Sequence, residues 1–158
     1  MTLSNAETLP VATVHHIRDT CLCLAAQRAA RALARRFDVA LRPFGLTNGQ
    51  FSLLVALNQA QPPAIGRLAP FLAMEPSTLT AAVKPLARRG LLRVIPDAKD
   101  RRARRVQITL EGVALLREAV PAWRAAHAAL DAELGEGTAA ALRRGLAEIR
   151  SLPADGAG

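Results

Sequence analysis

Two cysteines, Cys21 and Cys23, have the residue type and spacing that first suggest chemistry. They are the only cysteines in a chain of 158 residues, and His15 and His16 lie shortly before them. Thiols in this arrangement suit a redox sensor, a metal site completed by a histidine, or small apolar residues packed in a helix. The residues alone leave these three alternatives open.

The second group suited to chemistry is a cluster of basic residues. Residues 84–105 contain nine Lys or Arg and two Asp, a net charge of +7, while the whole chain carries +8. A local basic patch is the electrostatic footprint of a nucleic-acid-binding protein. An arginine-rich, merely solvated face would have the same composition, so the charge must be judged together with the elements that carry it.

The sequence shows no catalytic constellation. The histidines His15, His16 and His127 have no evident carboxylate or nucleophile partner, and the chain has no glycine-rich phosphate loop or zinc-spaced cysteine pair. We therefore predict that the protein is not an enzyme and that it carries no cofactor or metal. Because a long apolar run and a signal-peptide pattern are also missing, we expect a cytoplasmic protein without membrane contact.

Composition and periodicity predict a mainly α (α+β) fold. Hydrophobic residues make up 51% of the chain, aromatic ones only 3%, a mix that favours helices over sheets. Thr47, with Gln50 as its capping-box partner, and Thr109 are predicted N-caps. The predicted elements are a flexible arm over 1–15, helices over 16–42, 48–59, 65–72, 76–89, 110–134 and 138–152, a β-hairpin of strands 91–95 and 104–109, and a frayed tail over 153–158.

The helix predicted over 76–89 has two unlike faces at about 100° per residue. Its apolar face, expected to meet the core, comprises Leu79, Ala82, Val83 and Leu86. Its opposite face comprises Ser77, Ala81, Lys84 and Arg88. Small residues let a helix enter the major groove of DNA, while hydroxyl and Lys side chains reach base edges and phosphates. An ordinary amphipathic helix would look similar, but the short helix before it and the basic hairpin after it favour a winged helix-turn-helix.

The tip of the hairpin, residues 97–102, supports the same interpretation. An arginine at a hairpin tip suits the narrow, electronegative minor groove of DNA. A neighbouring aspartate holds such a guanidinium in a bidentate pair and aims it before DNA arrives. The alternative is a simple surface ion pair, which contributes little to stability.

The stretch Leu68–Gly112 resembles winged helix-turn-helix regulators of the MarR (multiple-antibiotic-resistance) family. The resemblance rests on PSTLTAAVKPLARRGLL, on DAKDRRARRVQITLEG and on the long helix that follows. It implies an obligate homodimer on double-stranded DNA with a pseudo-palindromic operator. Residues 16–45 and 110–152 would form the helical dimerisation domain, and residues 46–109 the DNA-binding lobe. Most members are repressors, released by a small phenolic ligand between the lobe and the dimer domain or by cysteine oxidation, so the resemblance implies a small aromatic effector.

The resemblance also assigns DNA-binding residues. Asp100 and Arg102 match the wing pair that reaches the minor groove. Together with the exposed face of the helix and the basic hairpin, the predicted DNA-binding set is Pro76, Ser77, Thr78, Thr80, Ala81, Lys84, Arg88, Lys99, Asp100, Arg101, Arg102 and Arg104. Pro85 departs from the commonest pattern and is expected to kink the helix. With such a kink, two roles stay open for Arg88 and Arg89: they contact DNA phosphates, or they cap the C-terminal end of the helix.

Two other kinds of protein fit parts of the same sequence: an architectural DNA-binding protein and a metal-sensing repressor. An architectural protein would coat DNA broadly, whereas a regulator protects one short, pseudo-symmetric site. A metal-sensing repressor would bind zinc through Cys21, Cys23 and a neighbouring histidine.

The cysteine pair falls on the first predicted helix. On a continuous helix, residues two apart point about 200° from each other, so Cys21 and Cys23 would neither join nor clamp one metal. Cys23 aligns with Phe37 and Leu41 on the apolar stripe and is interpreted as packing. Cys21 is the candidate redox thiol. Packing is favoured overall, because family members that sense peroxides hold the thiolate with tyrosines and this chain has none.

Overall fold

The computed structural model describes residues 8–98, 100 and 103–152, and it has the predicted mainly α architecture with one small hairpin. The helices are α1 (Val11–Thr20), α2 (Leu22–Leu41), α3 (Asn48–Leu57), α4 (Ile65–Phe71), α5 (Pro76–Arg88), α6 (Leu110–Leu134) and α7 (Glu136–Ser151). A 3₁₀ turn, Arg42–Phe44, follows α2, and the strands are β1 (Leu92–Pro96) and β2 (Arg104–Ile108).

A single leucine-rich core organises the lobe predicted over residues 46–109. Helices α3, α4 and α5 and the hairpin each contribute side chains to it, and the last turn of α2 and the first half of α6 close it. The most deeply buried members are Leu41, Leu53, Leu54, Leu57, Leu79, Leu86, Leu92 and Val106. Because α5 supplies only one side of its surface to this core, its opposite side must face outwards.

The two strands form an antiparallel hairpin in which Leu92 is opposite Ile108 and Pro96 is opposite Arg104. The chain before α4 is hydrogen-bonded to β2, since the Val106 N–H donates to the Pro63 carbonyl at 3.0 Å. A two-stranded hairpin alone is marginal in water. This extra backbone bond and the burial of Val106 therefore hold the hairpin against the helices.

Two predicted helix starts are confirmed. The Thr47 hydroxyl accepts from the Gln50 N–H at 3.2 Å, and the Gln50 side chain accepts from the Thr47 N–H at 3.1 Å, a complete capping box. Thr109 caps α6 by accepting from the Gly112 N–H at 3.1 Å. Its hydroxyl also donates to the Gly90 carbonyl at 2.7 Å, which ties the start of α6 to the end of α5.

The single helix predicted over 16–42 is wrong, because the structure breaks it at Cys21. This residue has extended backbone angles, φ −74° and ψ 104°, and its Sγ accepts from the Leu24 N–H at 3.4 Å. Cys21 therefore caps α2 and lies between two helices. The arm predicted over 1–15 is also corrected, since α1 already begins at Val11. The predicted break between the last two helices lies at Gly135, but α7 begins at Glu136 and not at 138, so Gly137 lies inside the helix.

An aromatic cluster joins the lobe to the helices around it. Trp123 and His127 of α6 have ring centroids 4.3 Å apart, His127 lies 4.4 Å from Phe37 of α2, and Trp123 lies 6.0 Å from Phe51 of α3. Partial burial lowers the pKa of His127, an effect that Asp131 opposes and Arg143 adds to. Three helices thus share one cluster, with Phe51 as the contribution from the lobe.

Several outer helices present apolar side chains to the surface. Helix α1 exposes Val11, Val14 and Ile17, which recur at helical spacing. Helix α7 exposes Leu142, Leu146 and Ile149 in the same way. Within the residues that the structure describes, none of the helices is long and apolar enough to cross a membrane.

Gly112 provides a test of the packing between α6 and the end of α5. A Cβ at this position would overlap the Leu91 carbonyl oxygen and lie 2.7 Å from the Ile108 side chain. We expect Gly112→Ala to lower the free energy of unfolding by about 3 kcal/mol, because backbone must move to admit the methyl group. Urea denaturation at a fixed protein concentration measures this change.

The matched control is Gly49→Ala, at an exposed position in the first turn of α3 where a Cβ would meet nothing within 4 Å. It should be neutral or stabilise by up to about 1 kcal/mol, since alanine is the better helix former. Equal stability of the two variants would contradict the close approach at Gly112.

Candidate nucleic-acid interface

Helix α5 presents the two faces that its sequence predicted. Leu79, Val83 and Leu86 are buried, and Ala82 is half-buried beside them. The members of the predicted DNA-binding set on this helix are all exposed: Pro76, Ser77, Thr78, Thr80, Ala81, Lys84 and Arg88. The outward face is therefore small and hydroxylated at its start and basic further along. At the start of this face, hydroxyl groups can donate hydrogen bonds and the small side chains permit a close approach to another molecule.

A tight turn sets the position of α5 after α4. Ala73 takes a left-handed conformation, φ 51°, and the Met74 N–H donates to the Ala69 carbonyl at 2.9 Å. Pro76 then begins α5, where its missing N–H costs nothing. The Thr80 hydroxyl donates back to the Pro76 carbonyl at 2.9 Å, so this side chain is already oriented on the exposed first turn.

Pro85 lies inside α5 and does not end it, since the helix continues to Arg88. The two arginines at its end have different surroundings. Both side chains are exposed, but the guanidinium of Arg89 donates to the Gly45 carbonyl at 2.6 Å and to the Phe44 carbonyl at 3.3 Å. Arg89 therefore holds the turn after α2. The adjacent arginines gave no signal in the sequence that would distinguish one role from the other.

The base of the wing is anchored by a buried aspartate that the sequence analysis did not single out. The Asp97 side chain is only 7% exposed, and its carboxylate forms a salt bridge with the Arg105 guanidinium. It also accepts from the Asp100 N–H at 3.2 Å, while Arg105 donates to the Pro62 carbonyl at 2.8 Å. Asp97 and Arg105 therefore fix where the wing leaves the sheet. The signal available in the sequence was the position of this aspartate just after the first predicted strand.

The predicted wing residues are only partly covered. Asp100 and Arg104 are both exposed, Asp100 near the tip and Arg104 on β2 opposite Pro96. Lys99, Arg101 and Arg102 lie outside the described residues, as does the predicted tail over 153–158. The described part of the hairpin thus provides a fixed base and exposed polar side chains leading to the tip.

The thiols differ from their predicted surroundings. Cys21 is half-buried at the cap of α2, whereas Cys23, predicted to pack, is exposed on this chain and accepts from the Gln27 side-chain amide at 3.3 Å. Because Cys21 is not in the helix, the angle of about 200° expected for two helical residues does not apply to this pair. In the described part of the chain, no group of three or more His, Cys, Asp and Glu side chains is placed to hold a metal ion.

Comparison with known proteins gives this geometry its context. The model of the MarR family matches residues 46–103, which comprise α3, α4, α5, β1 and the turn before β2. A curated relative, the transcriptional activatory protein BadR of Rhodopseudomonas palustris, is 36% identical over 88 residues. That match spans 54% of this chain and 50% of BadR.

Solved structures match over most of the chain. The transcriptional regulator MosR of M. tuberculosis, solved in complex with DNA, is 38% identical and has a TM-score of 0.74, with 82% of this chain and 93% of MosR covered. A mutant of MarR from E. coli, solved with operator DNA, has a TM-score of 0.77 at 22% identity, with 87% of this chain and 98% of MarR covered, a likeness of fold alone. On the family model and the MosR match together, this chain belongs to the MarR family of DNA-binding transcriptional regulators.

Proposed function

We propose that the protein binds a pseudo-palindromic operator as a homodimer, with α5 in the major groove and the wing, residues 96–103, in the minor groove. One observation carries the proposal: the outward face of α5 is small, hydroxylated and basic, and a hairpin anchored by Asp97 follows it directly. A helix of this kind fits the major groove, which is about 12 Å wide and displays a distinct pattern for each base pair.

Within the proposal, the two elements have different tasks. Ser77, Thr78 and Lys84 contact base edges and phosphates in the major groove. Arg102, aimed by Asp100, enters the minor groove and reads its width and A·T character. The buried Asp97–Arg105 pair supports this reach, because a wing with a fixed base delivers its tip to a defined place.

The homodimer is proposed from the outer helices. The exposed apolar faces of α1 and α7 exceed what the lobe needs to cover its own core, and such faces on a folded chain mark an interaction surface. A second copy of this chain supplies identical faces, as twofold symmetry requires. The two lobes then stand on one side of the dimer and read two half-sites.

We further propose that the regulator acts as a repressor, by the family resemblance. BadR is described as an activatory protein, so the direction needs its own measurement. A reporter gene behind the bound promoter should be expressed more strongly when this protein is removed. Lower expression on removal would assign activation instead.

Two signals are proposed for release from DNA. One is a small aromatic effector bound between the lobe and the dimer domain. An open concavity of about 370 Å³ lies at this boundary, lined by Arg93, Gln107, Thr109, Glu111 and Val113 among others. The other is oxidation of Cys21, whose thiol caps α2 and is partly accessible. In that step a peroxide oxidises the thiolate to a sulfenic acid and is itself reduced to water or an alcohol.

The wing assignment is tested by Arg102→Ala. We expect operator binding to weaken by roughly 1–3 kcal/mol, with the loss greatest on A·T-rich minor-groove sites. The probe is the duplex that the wild-type protein enriches from a random library, and a gel-shift titration measures affinity. Arg124→Ala removes the same charge from an exposed position on α6 and should bind as wild type. Equal affinities for the two variants would contradict the wing assignment.

The dimer is tested on α7. Leu146→Asp places a charge on the exposed apolar face, so we expect the mass measured by light scattering to fall from twice 16.8 kDa to a single chain. Phe71→Asp makes the same kind of change at a residue of α4 that is 70% exposed, and it should leave the dimer intact. A Leu146→Asp protein that remains dimeric would refute the role of this face.

The redox signal is tested with Cys21→Ser, a change that keeps a side chain able to cap α2. We expect organic peroxide to weaken DNA binding by the wild type but not by this variant, and dithiothreitol to restore it. Cys23→Ser shows whether the second thiol takes part: loss of the response in both variants indicates a disulfide, and loss in Cys21→Ser alone indicates a sulfenic acid. Wild-type binding that resists peroxide but is released by a small aromatic acid would favour the effector.

A further inference from the structure

We propose that Arg89 is a positioning residue that sets the distance and angle between the two recognition helices of the dimer, and thereby the half-site spacing that the protein accepts. The inference rests on the proposed function, since it needs a dimer on two half-sites. Its basis is the contact between the guanidinium of Arg89, at the end of α5, and the carbonyls of Phe44 and Gly45, at the end of the 3₁₀ turn that follows α2.

The turn that Arg89 holds is a compact junction between the dimer helices and the lobe. The Gly45 N–H donates to the Arg42 carbonyl at 2.9 Å, and Gly45 has a left-handed φ of 64°. Just after the turn, the Asn48 N–H donates to the Asp38 carboxylate at 2.6 Å, which fastens the start of α3 to α2. Arg89 is therefore bonded to a rigid corner.

The corner is in turn connected to the helical layer outside the lobe. Arg36, one turn before the end of α2, forms a two-bond ion pair with Glu133 of α6, with both N–O distances 2.6 Å. Polar contacts thus fasten the end of α5 to the turn after α2, and a separate ion pair fastens α2 to α6. A second polar tie, from the Thr109 hydroxyl to the Gly90 carbonyl, joins the end of α5 to the start of α6. The contacts of the rest of α5 are mainly apolar and are made within the lobe, to α4 and β1. Apolar packing permits sliding that a forked hydrogen bond does not.

This link matters because half-site spacing is a geometric requirement. The two recognition helices of a dimer must lie about 34 Å apart, one turn of DNA, to enter successive major grooves. A small rotation of the lobe about this junction moves the far end of α5, where the helix begins at Pro76, by more than it moves the end held by Arg89. A side chain that fixes this junction therefore determines which spacing fits.

The competing role for Arg89 is an ordinary phosphate contact, and its neighbour makes the two roles separable. Arg88 has the same charge, is exposed and belongs to the predicted DNA-binding face. A phosphate contact contributes to affinity equally at every spacing, and its loss lowers the slope of log K against log salt by about one. A positioning residue leaves that slope unchanged and alters the dependence on spacing.

The experiment uses the full chain and a set of duplexes. The wild type first enriches its site from random duplex DNA, and that site is then synthesised with the central spacer shortened or lengthened by one and two base pairs. Affinity for each duplex is measured at several salt concentrations. We expect the wild type to discriminate at least tenfold between the best and the altered spacers, and Arg89→Ala to reduce this ratio to threefold or less with an unchanged salt slope. Arg88→Ala should weaken binding at all spacers alike.

Two further variants separate geometry from charge and from unfolding. Arg89→Lys keeps the charge but lacks the fork that reaches two carbonyls, so it should lose spacer discrimination as Arg89→Ala does. Gly45→Ala places a Cβ 3.2 Å from the Arg89 guanidinium and should do the same without any change in charge. Gly90→Ala carries the same left-handed strain, φ 72°, but meets nothing within 4 Å, so it should keep the wild-type discrimination. Light scattering and thermal melting confirm that each variant is a folded dimer.

The inference is overturned if folded, dimeric Arg89→Ala discriminates between spacers as the wild type does, or if Arg89→Lys restores the affinity lost in Arg89→Ala with a wild-type salt slope. Failure of the proposed function looks different, because the wild type itself would then enrich no paired half-sites.

Discussion

The structure depends on the close approach of the first turn of α6 to the end of the recognition helix. The Thr109 N–H donates to the Leu91 carbonyl at 3.1 Å, the Thr109 hydroxyl donates to the Gly90 carbonyl, and Gly112 leaves room for the backbone to pass. At this point the recognition helix ends, the second strand of the wing ends and the long helix begins. Helix α5, the hairpin and the long helix α6 therefore share one small region of backbone.

Around this region, polar groups fix positions and apolar groups supply stability. The leucine core removes the largest buried side chains from water, and it holds α5 by one face only. A few hydrogen-bonded side chains set the orientation of α5 and of the wing. The clearest are Arg89 at the end of α5 and Asp97 at the base of the wing. Because such contacts depend on direction, they define geometry in a way that hydrophobic burial does not.

Local signals explain what could be predicted from the sequence. The capping residues Thr47 and Thr109 and the two faces of α5 act over three or four residues, so the helix starts and the division of α5 into a buried and an exposed face were predicted correctly. Helical periodicity continues on both sides of Cys21, so the sequence predicted one helix where the structure has two. The local sequence gives no sign of the extended backbone at Cys21. The Arg89–Gly45 and Arg105–Pro62 contacts join residues more than forty positions apart, and a single sequence holds no signal for such pairs.

The aromatic cluster between the lobe and the surrounding helices has a practical consequence. Trp123 is the single tryptophan of the chain, and no tyrosine is present to obscure it. Its ring contacts His127 on its own helix and, across the boundary, Phe51 of the lobe. The tryptophan fluorescence of the unlabelled protein therefore reports on the packing of the lobe against the surrounding helices. It can be followed in solution while DNA or a releasing compound is added.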